Sequence, residues 1–266
     1  MSRGMSICTN MDRVISGLFP CISAYELEGG TRMKIRRFTS VLMFYILIVS
    51  IFLTATYWGS VATSAIAEKI PLKRSNTVII DAGHGGEDGG STSCTGILES
   101  AFNLEISLRL NDLFHLLGID TIMVRSSDIS IYTNATTIAQ KKVSDLKNRV
   151  KLVNDTENAL LLSIHQNTFP DSECSGAQVF YGFSDGGKEL AEVLQRNFVA
   201  YLNHGSNRKS KKAEGIYLME QIDKVGVLVE CGFLSNPEEE AKLRSKSYQQ
   251  KICCVIVSTV CNFLDR

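Results

Sequence analysis

Two histidines and one glutamate each follow closely on a short apolar run of the chain. His84, His165 and Glu230 come within four residues of such runs. Short apolar runs are typical of buried strands, and α/β folds build their active sites at the carboxyl ends of strands. Because the chain contains only four histidines, the placement of two of them at strand ends is hard to attribute to packing. The pattern predicts a polar cluster at one edge of a sheet.

The residue types in this cluster point to a metal hydrolase. Zinc prefers imidazole nitrogen and carboxylate oxygen, and a catalytic zinc site typically has three protein ligands and one open position. His84 and His165 supply two ligands for one Zn²⁺ per chain. Glu99 begins a predicted helix after a Gly-rich loop, so its carboxylate can turn back toward the strand ends as the third. Glu230 is the candidate base that takes a proton from water.

Each residue also has a simpler interpretation when it is taken alone. A histidine after a strand is usually a hydrogen-bonded loop residue, and Glu99 could only complement the helix dipole. Asp81 is expected to orient a metal ligand or to cap the following turn. His115 and His204 are expected to be ordinary helix and helix-end residues. The five glycines of residues 81–90 lack the spacing of a nucleotide-binding loop.

The elements that must position these residues alternate between strand and helix. Strand-like runs lie at residues 78–80, 119–124, 159–164, 177–183, 216–219 and 225–229. Helical spacing is found over residues 99–117, near 146–153, over 190–201, from Asn236 onward and over 252–263. The alternation predicts a single α/β domain over residues 77–266, with a mostly parallel or mixed twisted sheet and helices on both faces.

A signal or anchor segment is predicted before this domain. Residues 38–57 carry no charge. They follow a basic stretch that belongs to a predicted cytoplasmic segment of residues 1–37. Their length of about 20 residues favours a transmembrane anchor, whereas the small residues at 65–67 favour cleavage, and both remain open. Residues 58–76 would be a linker, and the domain would be exported. We also expect that translation starts at Met33.

The charge balance of the predicted domain argues against nucleic acid as a partner. After residue 67 the chain has 22 basic and 25 acidic residues, which gives no support to nucleic-acid binding.

Cys231, Cys253, Cys254 and Cys261 are expected to be buried. Cys94 and Cys174 lie in loops, where free thiols are favoured over a disulfide or a metal ligand.

Several spaced motifs resemble the zinc-dependent N-acetylmuramoyl-L-alanine amidases of the amidase 3 family. They are residues 78–90 (VIIDAGHGGEDGG), Glu99, residues 163–167 (SIHQN) and residues 229–237 (VECGFLSNP). The resemblance covers residues 77–264. It implies zinc on His84, Glu99 and His165, with Glu230 as the catalytic carboxylate and peptidoglycan as the substrate. Gln166 departs from the alanine of many members and is not expected to disturb the metal.

Residues 141–146 and 175–181, with the single exported domain, resemble the germination-specific spore-cortex amidases of endospore formers. That resemblance implies peptide removal as the first step toward muramic-δ-lactam, in the forespore intermembrane space or cortex. Alternatives are an exported zinc peptidase that cuts within stem peptides and a non-catalytic wall-binding protein.

Two further expectations concern ligands of the domain. Arg208, Lys211 and Asn167 are candidate substrate contacts, although a solvated charge run is the favoured interpretation of the two basic residues. His84 lies among glycines and Glu99 follows a loop without obvious rigidifying residues. We therefore expect loosely held metal ligands and a protein partner that orders or targets the site.

Overall fold

The computed structural model describes residues 41–57 and 76–265 of the chain. Residues 41–57 are helical, with exposed side chains. Within these two ranges, none of the helices combines the length and the apolar character that a membrane crossing needs. The predictions for Met33, for the cleavage site and for most of the segment before residue 77 lie outside the described residues and stay predictions.

Residues 77–265 form an α/β domain around a six-stranded mixed sheet, as the sequence predicted. The strands are β1 (Thr77–Ala82), β2 (Thr121–Met123), β3 (Ala159–Asn167), β4 (Gln178–Tyr181), β5 (Lys211–Lys212) and β6 (Val225–Phe233), in the order β2-β1-β3-β6-β4-β5. β1, β2, β3 and β6 are parallel, and β4 runs antiparallel to β6. The three strands that were predicted to carry His84, His165 and Glu230 are therefore neighbours at the centre of the sheet.

Helices cover both faces of the sheet. They are α1 (Glu99–Leu116), α2 (Ile138–Asp155), α3 (Gly187–Tyr201), α4 (Tyr217–Gln221), α5 (Pro237–Leu243) and α6 (Lys246–Leu264). Because side chains alternate along a strand, Val78 and Ile80 belong to the apolar cluster that includes residues of α1, α3 and α6, whereas Ile79 belongs to the cluster that includes residues of α2 and α4. These two apolar layers fix the sheet and so fix the ends of its strands.

Local signals set two helix starts. The Thr137 side chain and Gln140 form a capping box at the start of α2. The Asn236 side chain accepts the backbone N–H groups of Glu238 and Glu239, with Pro237 in the first turn of α5. The second start confirms the helix that was predicted from Asn236.

Two sequence predictions about this domain are wrong. Residues 216–219 were expected to form a strand, but Tyr217–Gln221 is helical. Leu218 and Met219 bury themselves against the sheet from a short helix, and a run of this length does not distinguish helix from strand. Cys254 is exposed, whereas Cys231 and Cys253 are buried as predicted. Cys94 and Cys174 are free thiols.

Candidate metal centre

His84 lies in the loop after β1 in an unusual backbone conformation. Its φ angle is +60°, a region that side-chain-bearing residues rarely adopt. Two glycines make room for the cluster around it. A Cβ on Gly83 would lie 2.2 Å from Nε2 of His165, and a Cβ on Gly90 would lie 2.7 Å from Oε2 of Glu99. The glycines therefore allow the loop backbone to pass directly against the candidate ligands.

The three predicted ligands come together. Glu99 is the first residue of α1, and its carboxylate lies between the two imidazoles: His165 Nδ1 is 3.0 Å from Oε1, and His84 Nε2 is 3.4 Å from Oε2. One ligand atom from each residue lies within 4.8 Å of the other two. The histidines are partly exposed and the glutamate is buried. Two imidazole nitrogens and one carboxylate oxygen are a donor set that suits a divalent metal such as zinc.

Glu99 is held as an anion in this arrangement. Burial raises the pKa of Glu99. Hydrogen bonding and charge attraction to His165 and His84 together lower the pKa by more than burial raises it, so the net shift is downward. The backbone N–H of Ser91 donates to Oε2 at 3.0 Å, and that of Gln166 donates to Oε1 at 3.2 Å. An ionised, oriented carboxylate is the form that binds a metal.

Asp88 is a site residue that the sequence analysis did not single out. Its Oδ2 lies 2.9 Å from His84 Nδ1, and Lys142 Nζ approaches the same oxygen at 3.2 Å. Burial lowers the pKa of His84, whereas hydrogen bonds to Glu99 and Asp88 raise it, and the net direction is upward. A carboxylate that is hydrogen-bonded to Nδ1 fixes the orientation of the imidazole ring, so that Nε2 would face a bound metal. The signal was the spacing of four residues from the predicted ligand.

Asp81 acts through an arginine and not on a ligand side chain directly. It is buried, and its carboxylate accepts hydrogen bonds from Arg149 and from the Ser163 hydroxyl. Arg149 in turn donates to the carbonyl oxygens of Ala82, at 3.1 Å, and His84, at 2.9 Å. Burial raises the pKa of Asp81, but Arg149 and Ser163 lower it overall. The expected orienting role is thus indirect, because the Asp81–Arg149 pair holds the loop backbone.

Buried contacts from elsewhere in the chain hold the ligand loops, while the expectation of loosely held metal ligands stays a prediction. Arg125 is also buried, and it donates to the carbonyl oxygens of Ala82, Gly83 and Ser100. In the loop before Glu99, the Ser93 hydroxyl accepts the N–H groups of Thr95 and Ile97. The Arg125 contacts join residues far apart in the sequence, and the Ser93 contacts depend on a single hydroxyl. Neither kind of contact can be recognised from the glycines of the loops.

α5 adds a further anchor to the loop before Glu99. The buried Glu240 carboxylate accepts hydrogen bonds from the hydroxyls of Ser93 and Thr95. The loop is therefore tied to the helix that follows β6.

Glu230 is on β6 directly opposite His165 of β3. The residue is partly exposed, but its Oε2 atom is buried and has no hydrogen-bond partner among the described residues. Burial raises the pKa of Glu230 to about 7, with His165 acting against this and Glu99 adding to it. A carboxyl group poised near neutrality beside a metal-binding cluster is suited to proton transfer.

The candidate substrate contacts take three different positions. Asn167 ends β3, and its carbonyl oxygen accepts the Leu234 N–H at 2.8 Å. The Arg208 guanidinium lies 4.9 Å from the Phe233 ring centroid and donates to the Ser175 carbonyl oxygen at 3.0 Å. Arg208 is therefore held near the end of β6, whereas Lys211 is exposed on the edge strand β5.

Comparisons with known proteins agree with this geometry. Residues 78–262 match the family described as N-acetylmuramoyl-L-alanine amidase (Amidase_3). A germination-specific N-acetylmuramoyl-L-alanine amidase of Bacillus subtilis (strain 168) is 37% identical over 188 residues, covering 70% of this chain and 78% of that protein.

Two solved structures are similar in fold. The CwlD amidase from Clostridioides difficile, in complex with the GerS lipoprotein, has a TM-score of 0.68 and 35% identity over 71% of this chain and 98% of that chain. An N-acetylmuramoyl-L-alanine amidase from Clostridium difficile 630 has a TM-score of 0.63 and 30% identity, covering 73% and 98%. The chain therefore belongs to the N-acetylmuramoyl-L-alanine amidase family.

Proposed function

We propose that this chain hydrolyses the amide between the lactyl group of N-acetylmuramic acid and L-alanine in peptidoglycan, with one zinc ion on His84, Glu99 and His165. The observation that carries the proposal is the convergence of three ligand atoms within 4.8 Å of one another. The family match supplies the reaction class. Zinc, when bound, supplies Lewis acidity toward the amide carbonyl and lowers the pKa of water toward about 7.

Glu230 performs the proton transfers in this proposal. Glu230 is partly exposed and is the register partner of His165, and no hydrogen bond among the described residues commits its Oε2 atom. The carboxylate takes a proton from the attacking water and then returns it to the departing amine of L-alanine. One residue thus serves as base and then as acid.

The test is the Glu230→Gln variant of the full chain. We expect it to bind zinc like the parent and to lose amide hydrolysis, because an amide cannot accept the proton. Glu157→Gln is the matched control, since Glu157 is exposed just before β3, at the opposite end of that strand from His165. Undiminished release of peptides by Glu230→Gln would exclude Glu230 as the base.

The finer biological role is part of the same proposal. The 37% identical relative is named as germination-specific, which supports action on the spore cortex as the first step toward muramic-δ-lactam. The reaction leaves a free lactyl carboxyl group, and a separate deacetylase must free the amine that closes the lactam. Purified chain and a peptidoglycan deacetylase should therefore generate the lactam only in combination. Lactam formation by the deacetylase alone would contradict this role.

Export and a protein partner complete the proposal. The uncharged residues 38–57 after a basic flank support an exported domain that is membrane-anchored or released to the wall. The CwlD amidase was solved in complex with a lipoprotein, which supports a lipoprotein partner that targets or activates this chain. A partner that favours the metal-bound arrangement should tighten zinc binding. Equal zinc affinity with and without a co-purifying lipoprotein would leave targeting as its only role.

A further inference from the structure

Two buried amide side chains form a chain of hydrogen bonds that ends on the Glu99 carboxylate. Asn103 and Gln166 are 0% and 3% exposed. Asn103 Nδ2 donates to Glu99 Oε1 at 3.2 Å and to the Gly83 carbonyl oxygen at 3.1 Å. Gln166 Nε2 donates to Asn103 Oδ1, also at 3.2 Å. The three side chains come from two elements, α1 and β3.

The order of donors and acceptors in this chain admits one orientation of Asn103. If its amide were turned over, Oδ1 would face the Glu99 carboxylate, and Nδ2 would face the donating nitrogen of Gln166. Both contacts would be repulsive, since each would pair two groups of the same kind. Gln166, together with the Gly83 carbonyl oxygen, therefore fixes which end of the Asn103 amide faces Glu99. Its own backbone N–H donates to the same Glu99 oxygen.

Gln166 is a costly residue if its only role is packing. Its Oε1 atom is buried and has no hydrogen-bond partner in the part of the chain that the structure describes. A buried polar atom without a partner destabilises the folded state, because its hydrogen bonds to water are lost and not replaced. An apolar side chain of similar volume would avoid this cost, but it would lack the donor that Gln166 directs at Asn103 and the hydrogen bond that Gln166 shares with the Cys231 thiol.

We propose that Asn103 and Gln166 are positioning residues that hold the Glu99 carboxylate in the orientation from which it binds the metal. This inference rests on the proposed metal site and deepens it. It goes beyond the sequence expectation that Gln166 leaves the metal undisturbed, because it gives that residue a supporting contact. Neither amide touches the substrate or the reacting atoms in this proposal.

The test measures zinc affinity in the purified full chain, by competition with a chromophoric chelator. Gln166→Met keeps the volume and removes the donor. We expect zinc to bind roughly 3- to 10-fold more weakly, while the metal-free variant melts close to the parent's temperature, because the unpaired Gln166 oxygen is removed and Asn103 Oδ1 loses its partner instead. Asn103→Leu removes the direct contact and should weaken binding about 10- to 100-fold. The double variant should bind no more weakly than Asn103→Leu alone, since the two residues act in series.

Gln249→Met is the matched control. Gln249 is a buried amide of α6 whose hydrogen bonds are to Arg109, Glu105 and Leu243. We expect this variant to lose thermal stability without losing zinc affinity, which separates positioning from general destabilisation.

Three results are decisive. Zinc binding by Gln166→Met and Asn103→Leu within twofold of the parent would overturn the proposal, and so would effects that add fully in the double variant. A parent that binds zinc but releases no peptides would refute the proposed function alone, because the affinities still report the positioning. A parent that binds no zinc would overturn both.

Discussion

The raised pKa of Glu230 makes a prediction about stability that is independent of catalysis. In the metal-free chain, burial raises the pKa of this carboxyl from 4.5 to about 7. The folded protein therefore holds a proton on Glu230 at pH values where the unfolded chain has released it. Stability that is fully present below about pH 4.5 is lost as the pH rises toward 7, because the unfolded state binds fewer protons over that window.

The size of this loss follows from the pKa shift. One pKa unit corresponds to about 1.36 kcal/mol, so a shift of this size is worth up to roughly 3 kcal/mol. Glu230→Gln mimics the protonated side chain at every pH and does not suffer the loss. We expect the variant and the parent to be closely matched at pH 4.5, and the variant to be more stable by up to roughly 3 kcal/mol at pH 8.

The assay is urea denaturation of the full chain with a metal chelator, at several pH values between 4.5 and 8. Glu157→Gln serves as the control and should show no pH-dependent difference from the parent, because Glu157 is exposed. Saturating zinc should shrink the Glu230→Gln advantage, because a nearby cation favours the ionised carboxylate. A difference that stays constant across the pH range, or that favours the parent at pH 8, would refute the reasoning about Glu230.

Three further predictions concern the residues around the site. Arg149→Met leaves the buried Asp81 carboxylate without its cation and should cost about 3–5 kcal/mol in free energy of unfolding; a cost below 1 kcal/mol would show that Arg149 does not hold the loop. Asp88→Asn removes the charged partner of His84 and should weaken zinc binding about 10- to 100-fold in chelator competition, whereas unchanged affinity would remove Asp88 from the site. Arg208→Met should raise KM for peptidoglycan fragments several-fold with kcat nearly unchanged, and a fall in kcat alone would argue against substrate binding by Arg208.

The clustering of the candidate site residues was predictable from sequence because strand ends in an α/β fold share an edge. His165 and Glu230 are register partners on β3 and β6, and His84 follows the strand on the other side of β3. The supporting contacts were less accessible. Arg125 and Arg149 reach the His84 loop from 42 and 65 residues away, and no periodicity of the sequence indicates which carbonyl oxygens a buried guanidinium will contact.

The wrong strand prediction also arose from contacts that the sequence does not show. Tyr217–Gln221 is helical, and its Leu218 and Met219 side chains pack into the second apolar layer, which depends on the tertiary structure. The contacts that hold the ligand loops were equally invisible in the sequence, since the Glu240 anchor comes from a helix about 145 residues later. Glycine content reports the freedom of the backbone in isolation and not the contacts that remove it.

The central claim is tested most directly by mass spectrometry of peptidoglycan that has been treated with the purified, zinc-loaded full chain. The account predicts the release of intact stem peptides that begin with a free L-alanine amine, together with glycan strands whose lactyl groups carry free carboxyl groups. Fragments cut within the stem peptide would identify a peptidase instead. No release at all by a chain with stoichiometric zinc would contradict the proposed chemistry.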